Sequence, residues 1–145
     1  MLAFEMGRAL ARLYREDRCV TLVPVPLRRD SSRPYNQAER IARGMSTVWG
    51  GEVLDGLEWT SSFPSQVGRN SFERRALPRN AFRWSASRID RPVLLIDDVF
   101  TTGTTLMRAA EALKRERISV KGAYCWAVSP VETLSVTWKE ETDRV

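Results

Sequence analysis

The run PVLLID at residues 92–97 holds no polar residue before its closing aspartate. A strand with one wet face alternates apolar and polar positions, so an unbroken apolar run belongs to a strand covered on both faces. That demand is met by a mostly parallel, twisted β-sheet with helices on both faces, and the rest of the chain alternates accordingly. Leu2, Met6, Ala9, Leu10 and Leu13 recur at helical spacing, predicting an amphipathic helix over 2–15 with those residues inward. CVTLVPV (19–25) reads as a buried strand closed by Pro24 and Pro26. Asn36, with Glu39 three residues on, starts a helix to about Trp49, whose inner side carries Ala38, Ile41, Ala42, Met45 and Val48 and which the Gly50-Gly51 pair stops.

Further on, EVLDGLEWT (52–60) is a weaker strand, and a polar, punctuated loop follows over about 61–80. Loops of that length inside a compact domain are more often functional lids than filler. A short strand near AFRW precedes the apolar run, and TTLMRAAEALKRER (104–117) forms a helix with Leu106, Ala109, Ala110 and Leu113 inward. VKGAYCWAV (120–128) is a last buried strand, and LSVTW adds an edge strand before a polar tail. The expected organisation is one α/β domain over 1–131 with a flexible lid at about 61–80, then an edge strand and tail over 132–145. Right-handed crossovers place any ligand beyond the carboxyl ends of the strands.

The 145 residues are 43% apolar and 28% charged, the balance of a water-soluble globular protein. The chain carries no run near the roughly 20 apolar residues a membrane span needs, and its amphipathic opening does not read as a signal peptide, so a cytoplasmic, non-membrane protein is expected. Cys19 and Cys125 sit alone in strand-like runs and read as buried free thiols. The absence of histidine removes the usual general base and the commonest transition-metal ligand. Chemistry is left to carboxylates, arginines, hydroxyls and backbone.

The apolar strand leads into DDVFTTGTT. Asp97 and Asp98 end the strand at the crevice, and paired carboxylates suit vicinal sugar hydroxyls or a magnesium-bound ligand. Thr101-Thr102-Gly103-Thr104-Thr105 then enters a helix, where free N–H groups, a positive dipole end and hydroxyl donors form a phosphate cradle. Acceptors for a diol beside donors for a phosphate describe ribose 5-phosphate.

Charge is concentrated elsewhere. Residues 60–91 hold seven arginines against Glu73 and Asp90, a local net of +5 that equals the net charge of the whole chain. Arginine in that density favours a polyanion, whether a phosphorylated small molecule or a nucleic acid backbone. Phe63, Phe72, Phe82 and Trp84 interleave with the arginines, which suits base stacking if nucleic acid is the partner. Five tryptophans are many for this length; Trp59 and Trp84 flank the lid and suit a partner surface, so a homo-oligomer or membership of a larger complex is expected.

VLLIDDVFTTGTT, residues 93–105, resembles the phosphoribosyl pyrophosphate motif of type I phosphoribosyltransferases over all thirteen positions. PVPLRR (24–29), RPYNQAERIA (33–42) and the SQVG…ERR…AF run (65–82) look like the ComF-like subgroup, and the similarity covers about residues 8–130. The resemblance implies that Asp97 and Asp98 contact the ribose 2- and 3-hydroxyls and that Thr101–Thr105, with Gly103, hold the 5-phosphate. It makes Leu27, Arg28 and Arg29 the pyrophosphate loop, often the place of a non-proline cis peptide. It also makes 61–80 a lid carrying Arg69, Arg74 and Arg75 to the leaving group, with Arg74 joining the two aspartates in catalysis.

The implied activity is Mg2+-dependent transfer of phosphoribosyl to an acceptor, the metal held by substrate with Asp97 and Asp98. A catalytically silent regulatory or scaffold protein that binds nucleotide or nucleic acid is the alternative. ComF-like proteins usually carry a cysteine-rich zinc module ahead of this domain, and no cysteine cluster occurs in this sequence. Pro34, Leu77 and Asn80 stand where the subgroup usually has Gly, Asn and Gly. Thr101 occupies the position of the base-reading aspartate of 6-oxopurine salvage enzymes, which argues against that specificity.

Overall fold

The structure is a computed structural model that describes residues 1–14, 20–60 and 77–129. The expected cysteine at 19, the segment 61–76 and the C-terminal strand and tail lie outside the described residues.

Helix α1 (Leu2–Leu13) is followed by strand β1 (Thr21–Pro24), helix α2 (Gln37–Trp49) and strands β2 (Glu52–Val53), β3 (Leu57–Trp59) and β4 (Phe82–Trp84). Strand β5 (Val93–Phe100), helix α3 (Thr104–Arg115) and strand β6 (Val120–Val128) complete the described chain. The main sheet is parallel throughout, in the order β2-β1-β5-β6, and β3 pairs antiparallel with β4 in a separate ribbon. The expected single strand over 52–60 is thus two short ones in different sheets, parted at Gly56, where an added Cβ would meet the Trp84 ring at 2.6 Å.

β5 is sandwiched as its apolar run demands. Val93 and Leu95 enter a core with α3 and the β3–β4 ribbon, while Leu94 and Ile96 enter a second core with α1 and α2. β1 divides in the same way, Val23, with Val25 just past the strand, to one side and Leu22 to the other. Two helical layers therefore flank one sheet.

Helix faces differ from expectation where close packing overrides periodicity. On α1 the buried residues are Ala3, Gly7, Leu10 and Ala11, whereas Leu2 and Leu13 are each 76% exposed. α1 lies on α2 through small residues: a Cβ on Gly7 would overlap the Ile41 carbonyl oxygen, and one on Gly44 the Phe4 carbonyl oxygen. Backbone contact of that kind selects the small stripe over the leucines. On α2 the inward residue near the end is Trp49 and not Val48, because the indole Nε1 donates to the Ala11 and Tyr14 carbonyls at 2.8 and 3.0 Å. On α3, Ala112 is buried where Ala110 was expected, and Ala110 packs only partly against the core. Asn36 caps α2, its Oδ1 accepting from Ala38 N–H at 3.1 Å, and Gly50 closes it with φ 74°.

No helix among the described residues is long and apolar enough to cross a membrane.

Candidate functional site

β1 and β5 separate at the site. Their pairing ends with Pro24 opposite Ile96 and one last bond, Val25 N–H to the Ile96 carbonyl at 2.9 Å. Pro24 and Pro26 have no N–H to donate, so the chain leaves the sheet, and Ser31 N–H closes a turn on the Arg28 carbonyl at 3.0 Å. β5 does not stop at the aspartates, as the sequence suggests; β6 carries it on to Phe100, with Asp97 beside Cys125 and Phe100 beside Val128. One edge of β5 beyond Ile96 therefore opens on a cavity of about 560 Å³.

Asp97 and Asp98 line that cavity together with Thr101, Thr102, Thr104 and Thr105. Successive strand side chains point to opposite faces, so Asp98 emerges on the α1–α2 side and Asp97 on the α3 side. Asp97 Oδ1 accepts the Asp98 N–H at 2.8 Å. Burial, with the neighbouring Asp98 charge adding to it against that hydrogen bond, pushes the Asp97 carboxyl up to about 7.

The threonine turn leads from β5 into α3. Gly103 has φ 76°, a left-handed conformation that L side chains resist, and an added Cβ would lie 3.0 Å from the Phe100 ring. As N-cap it offers no side chain to the first turn, and the intrahelical ladder starts with Met107 N–H on the Gly103 carbonyl at 2.9 Å. The N–H groups of Thr105 and Leu106 precede that ladder and face the positive end of the helix dipole. Thr102 and Thr104 hydroxyls share a 2.9 Å hydrogen bond. Gly103 and Thr105, with Asp97, also line a smaller adjoining recess.

The expected pyrophosphate loop is only partly assembled. Leu27 and Arg28 line the cavity, and Arg28 pairs with Asp30 at 3.3 Å. Arg29 is not among the lining residues; its guanidinium donates to the Trp59 carbonyl at 3.0 Å. Every described peptide bond is trans, so the cis peptide implied for this loop is not observed. Arg69, Arg74 and Arg75 lie outside the described residues. The two flanks of their segment are joined, Thr60 N–H donating to the Ala81 carbonyl at 3.0 Å, and Arg108 on α3 holds the Leu77 carbonyl at 2.8 Å.

Arg33, Asn36, Gln37 and Trp59 also line the cleft. Arg33 donates to Asp98 Oδ2 at 2.6 Å and to Gln37 Oε1 at 2.8 Å. Asn36, the cap of α2, also donates from Nδ2 to the Val25 carbonyl at 2.9 Å and so locks the start of α2 to the end of β1. Trp59 lines the opposite wall, its indole donating to the Pro26 carbonyl at 3.1 Å. The signal for Arg33 was its position on the loop leaving a β-strand's carboxyl end, where such folds bind ligands.

Cys125 is half-buried and not fully enclosed, and burial, then the Asp97 and Asp98 charges, pushes its thiol up to about 12. Cys19 lies outside the described residues. Of the aromatic residues offered for base stacking, Phe82 is fully buried against Trp59 at 4.2 Å between ring centroids, which removes it from any surface role. The described arginines of 79–91 include three in exposed ion pairs, Arg83 with Glu58, Arg88 with Asp90 and Arg91 with Glu52.

Among the described residues no group of three or more Cys, Asp or Glu could hold a metal by itself. Two adjacent carboxylates fit a magnesium ion that arrives with a phosphorylated ligand, since Mg2+ is commonly held by one or two carboxylates plus substrate phosphates.

Comparison with known proteins gives relatives of similar sequence. The chain is 33% identical over 110 residues to Competence protein F of Haemophilus influenzae, covering 70% of this chain and 48% of that protein. It is 34% identical over 101 residues to Competence protein ComFC of Streptococcus pneumoniae, covering 70% and 43%. The chain thus spans about half the length of the curated relatives it matches. A purine phosphoribosyltransferase from Pyrococcus horikoshii aligns over 95% of this chain and 91% of its own at 18% identity, with a TM-score of 0.41. No protein-family model matches.

Proposed function

We propose, for a chain that belongs to the ComF-like family, that the cleft binds phosphoribosyl pyrophosphate and transfers its phosphoribosyl group to an acceptor. The observation that carries this reading is the joining of Asp97 and Asp98 to the Thr101–Thr105 turn in one cavity of about 560 Å³. The carboxylates accept from the 2- and 3-hydroxyls, and the turn with the first N–H groups of α3 donates to the 5-phosphate. The two anchors fix the sugar and leave carbon 1 facing the open side of the cleft. An acceptor lone pair forms the new bond there as the electrons of the C1–O bond leave with pyrophosphate. Magnesium entering with the substrate supplies charge neutralisation on the leaving oxygens.

A binding-only regulatory role has one observation in its favour: Arg29, expected at the pyrophosphate, is committed to the Trp59 carbonyl. The relatives are named for competence, and we extend that context to this chain as part of the proposal.

Calorimetric titration with phosphoribosyl pyrophosphate and magnesium tests the binding claim. Saturable binding by the wild type that disappears in Asp97→Asn/Asp98→Asn is expected. An undiminished signal in the folded double variant would place the ligand elsewhere. Release of pyrophosphate in an acceptor screen then separates transfer from binding alone.

A further inference from the structure

We propose that Arg33 is a specificity-determining residue that reads the anionic substituent on carbon 1 of the sugar, distinguishing phosphoribosyl pyrophosphate from ribose 5-phosphate. This rests on the reading of the cleft as a phosphoribosyl site. Among the described residues, the cations lining the cavity are Arg28 and Arg33. Arg28 is 68% exposed and paired with Asp30 at the rim. Arg33 instead reaches inward to Asp98, with Nη1 2.6 Å from Asp98 Oδ2, and Gln37 Oε1 accepts from the same nitrogen at 2.8 Å.

Asp98 is one of the two carboxylates that receive the vicinal hydroxyls, and both carbons bearing them lie within two bonds of carbon 1. A guanidinium resting on that carboxylate therefore lies next to whatever carbon 1 carries. Arg33 remains half-exposed, 51% at the side chain against 23% for Asp98, and its planar fork keeps further N–H groups for phosphate oxygens. The same contact takes up a lone pair of Asp98 Oδ2, in competition with a hydroxyl of the diol. A ligand with pyrophosphate at carbon 1 draws Arg33 from the carboxylate onto the anion and frees that oxygen. Ribose 5-phosphate offers no such anion, so Arg33 competes with its hydroxyls. Selectivity follows from one side chain with two alternative partners.

Calorimetric titrations of wild type, Arg33→Gln and Arg33→Lys with three probes, each with magnesium, test this: phosphoribosyl pyrophosphate, ribose 5-phosphate and inorganic pyrophosphate. Arg33→Gln is expected to weaken phosphoribosyl pyrophosphate and pyrophosphate by roughly tenfold to a hundredfold, the worth of a charge-assisted contact. Ribose 5-phosphate should bind this variant as well as, or better than, it binds the wild type. Arg33→Lys, keeping the charge without the fork, should fall between. Equal weakening of phosphoribosyl pyrophosphate and ribose 5-phosphate would assign Arg33 to holding Asp98 in place and overturn the inference, as would an unchanged affinity ratio. A folded wild type that binds none of the probes overturns the phosphoribosyl reading itself.

Discussion

Asp97 sits where an ionised carboxylate is poorly hydrated, and a second carboxylate follows it in the chain. Burial pushes it up to about 7 from an ordinary 3.8. Below about pH 4 folded and unfolded chains both carry the proton, so the residue adds no pH dependence to stability. Between about pH 4 and 7 the unfolded chain ionises first, so stability falls across that window and levels off above it. The cost above pH 7 is on the order of 4 kcal/mol at most, at about 1.36 kcal/mol per unit. Asp97→Asn keeps an oxygen for the Asp98 N–H and removes the charge, so thermal melts should show a gain of several °C at pH 8 and almost none at pH 4. Equal gains at both values would contradict the account. A ligand that needs the ionised pair must expel the proton, so the affinity for phosphoribosyl pyrophosphate with magnesium should rise from pH 6 to 8, with proton release measurable in buffers of different ionisation enthalpy. The Arg33–Asp98 pair is half-exposed and contributes little to folding, so Asp98→Asn should change stability by less than about 1 kcal/mol while abolishing binding.

At the scale of elements, α1 and α3 depend on glycine for different reasons. Gly7 and Gly44 let α1 and α2 touch backbone to backbone. Gly7→Ala should cost about 2–3 kcal/mol, roughly 6–12 °C in Tm, because the helices must part and Trp49 loses its acceptors on α1. Gly103→Ala should leave most of the stability intact, at a cost of about 1–2 kcal/mol for the left-handed backbone and the Phe100 contact, yet weaken the 5-phosphate contact by tenfold or more. A Gly103→Ala protein that binds ligand normally would show that the turn is not the cradle. The sequence announced each helix but misjudged which face α1 buries, since periodicity weighs leucines by size whereas the packing selects Ala3, Gly7 and Ala11 for closeness. β5 was the most legible element, because a short, unbroken apolar run between turn residues suits a strand covered on both faces. Its extension to Phe100 was not legible, since it depends on β6 as a neighbour distant in sequence.

For the whole molecule, the parallel sheet with helices on both faces followed from the alternation of elements, and with it the position of the cleft. Strand order and the separate β3–β4 ribbon did not follow, because they depend on pairings between segments distant in sequence and on the division of 52–60 between two sheets. Asp97, Asp98 and the threonine turn were legible because they are contiguous. Arg33 was not, because its partner Asp98 is 65 residues away. If the basic segment at 60–91 also binds a nucleic acid backbone, that binding should weaken steeply with added salt and persist in Asp97→Asn/Asp98→Asn.

The location of the bound ligand tests the central claim most directly. Backbone amide shifts of labelled protein, followed during titration with phosphoribosyl pyrophosphate and magnesium, should move most at Asp97, Asp98 and Thr101 through Leu106. Largest changes at Arg79–Arg91 with the cradle amides unmoved, or none at saturating ligand, would contradict the account.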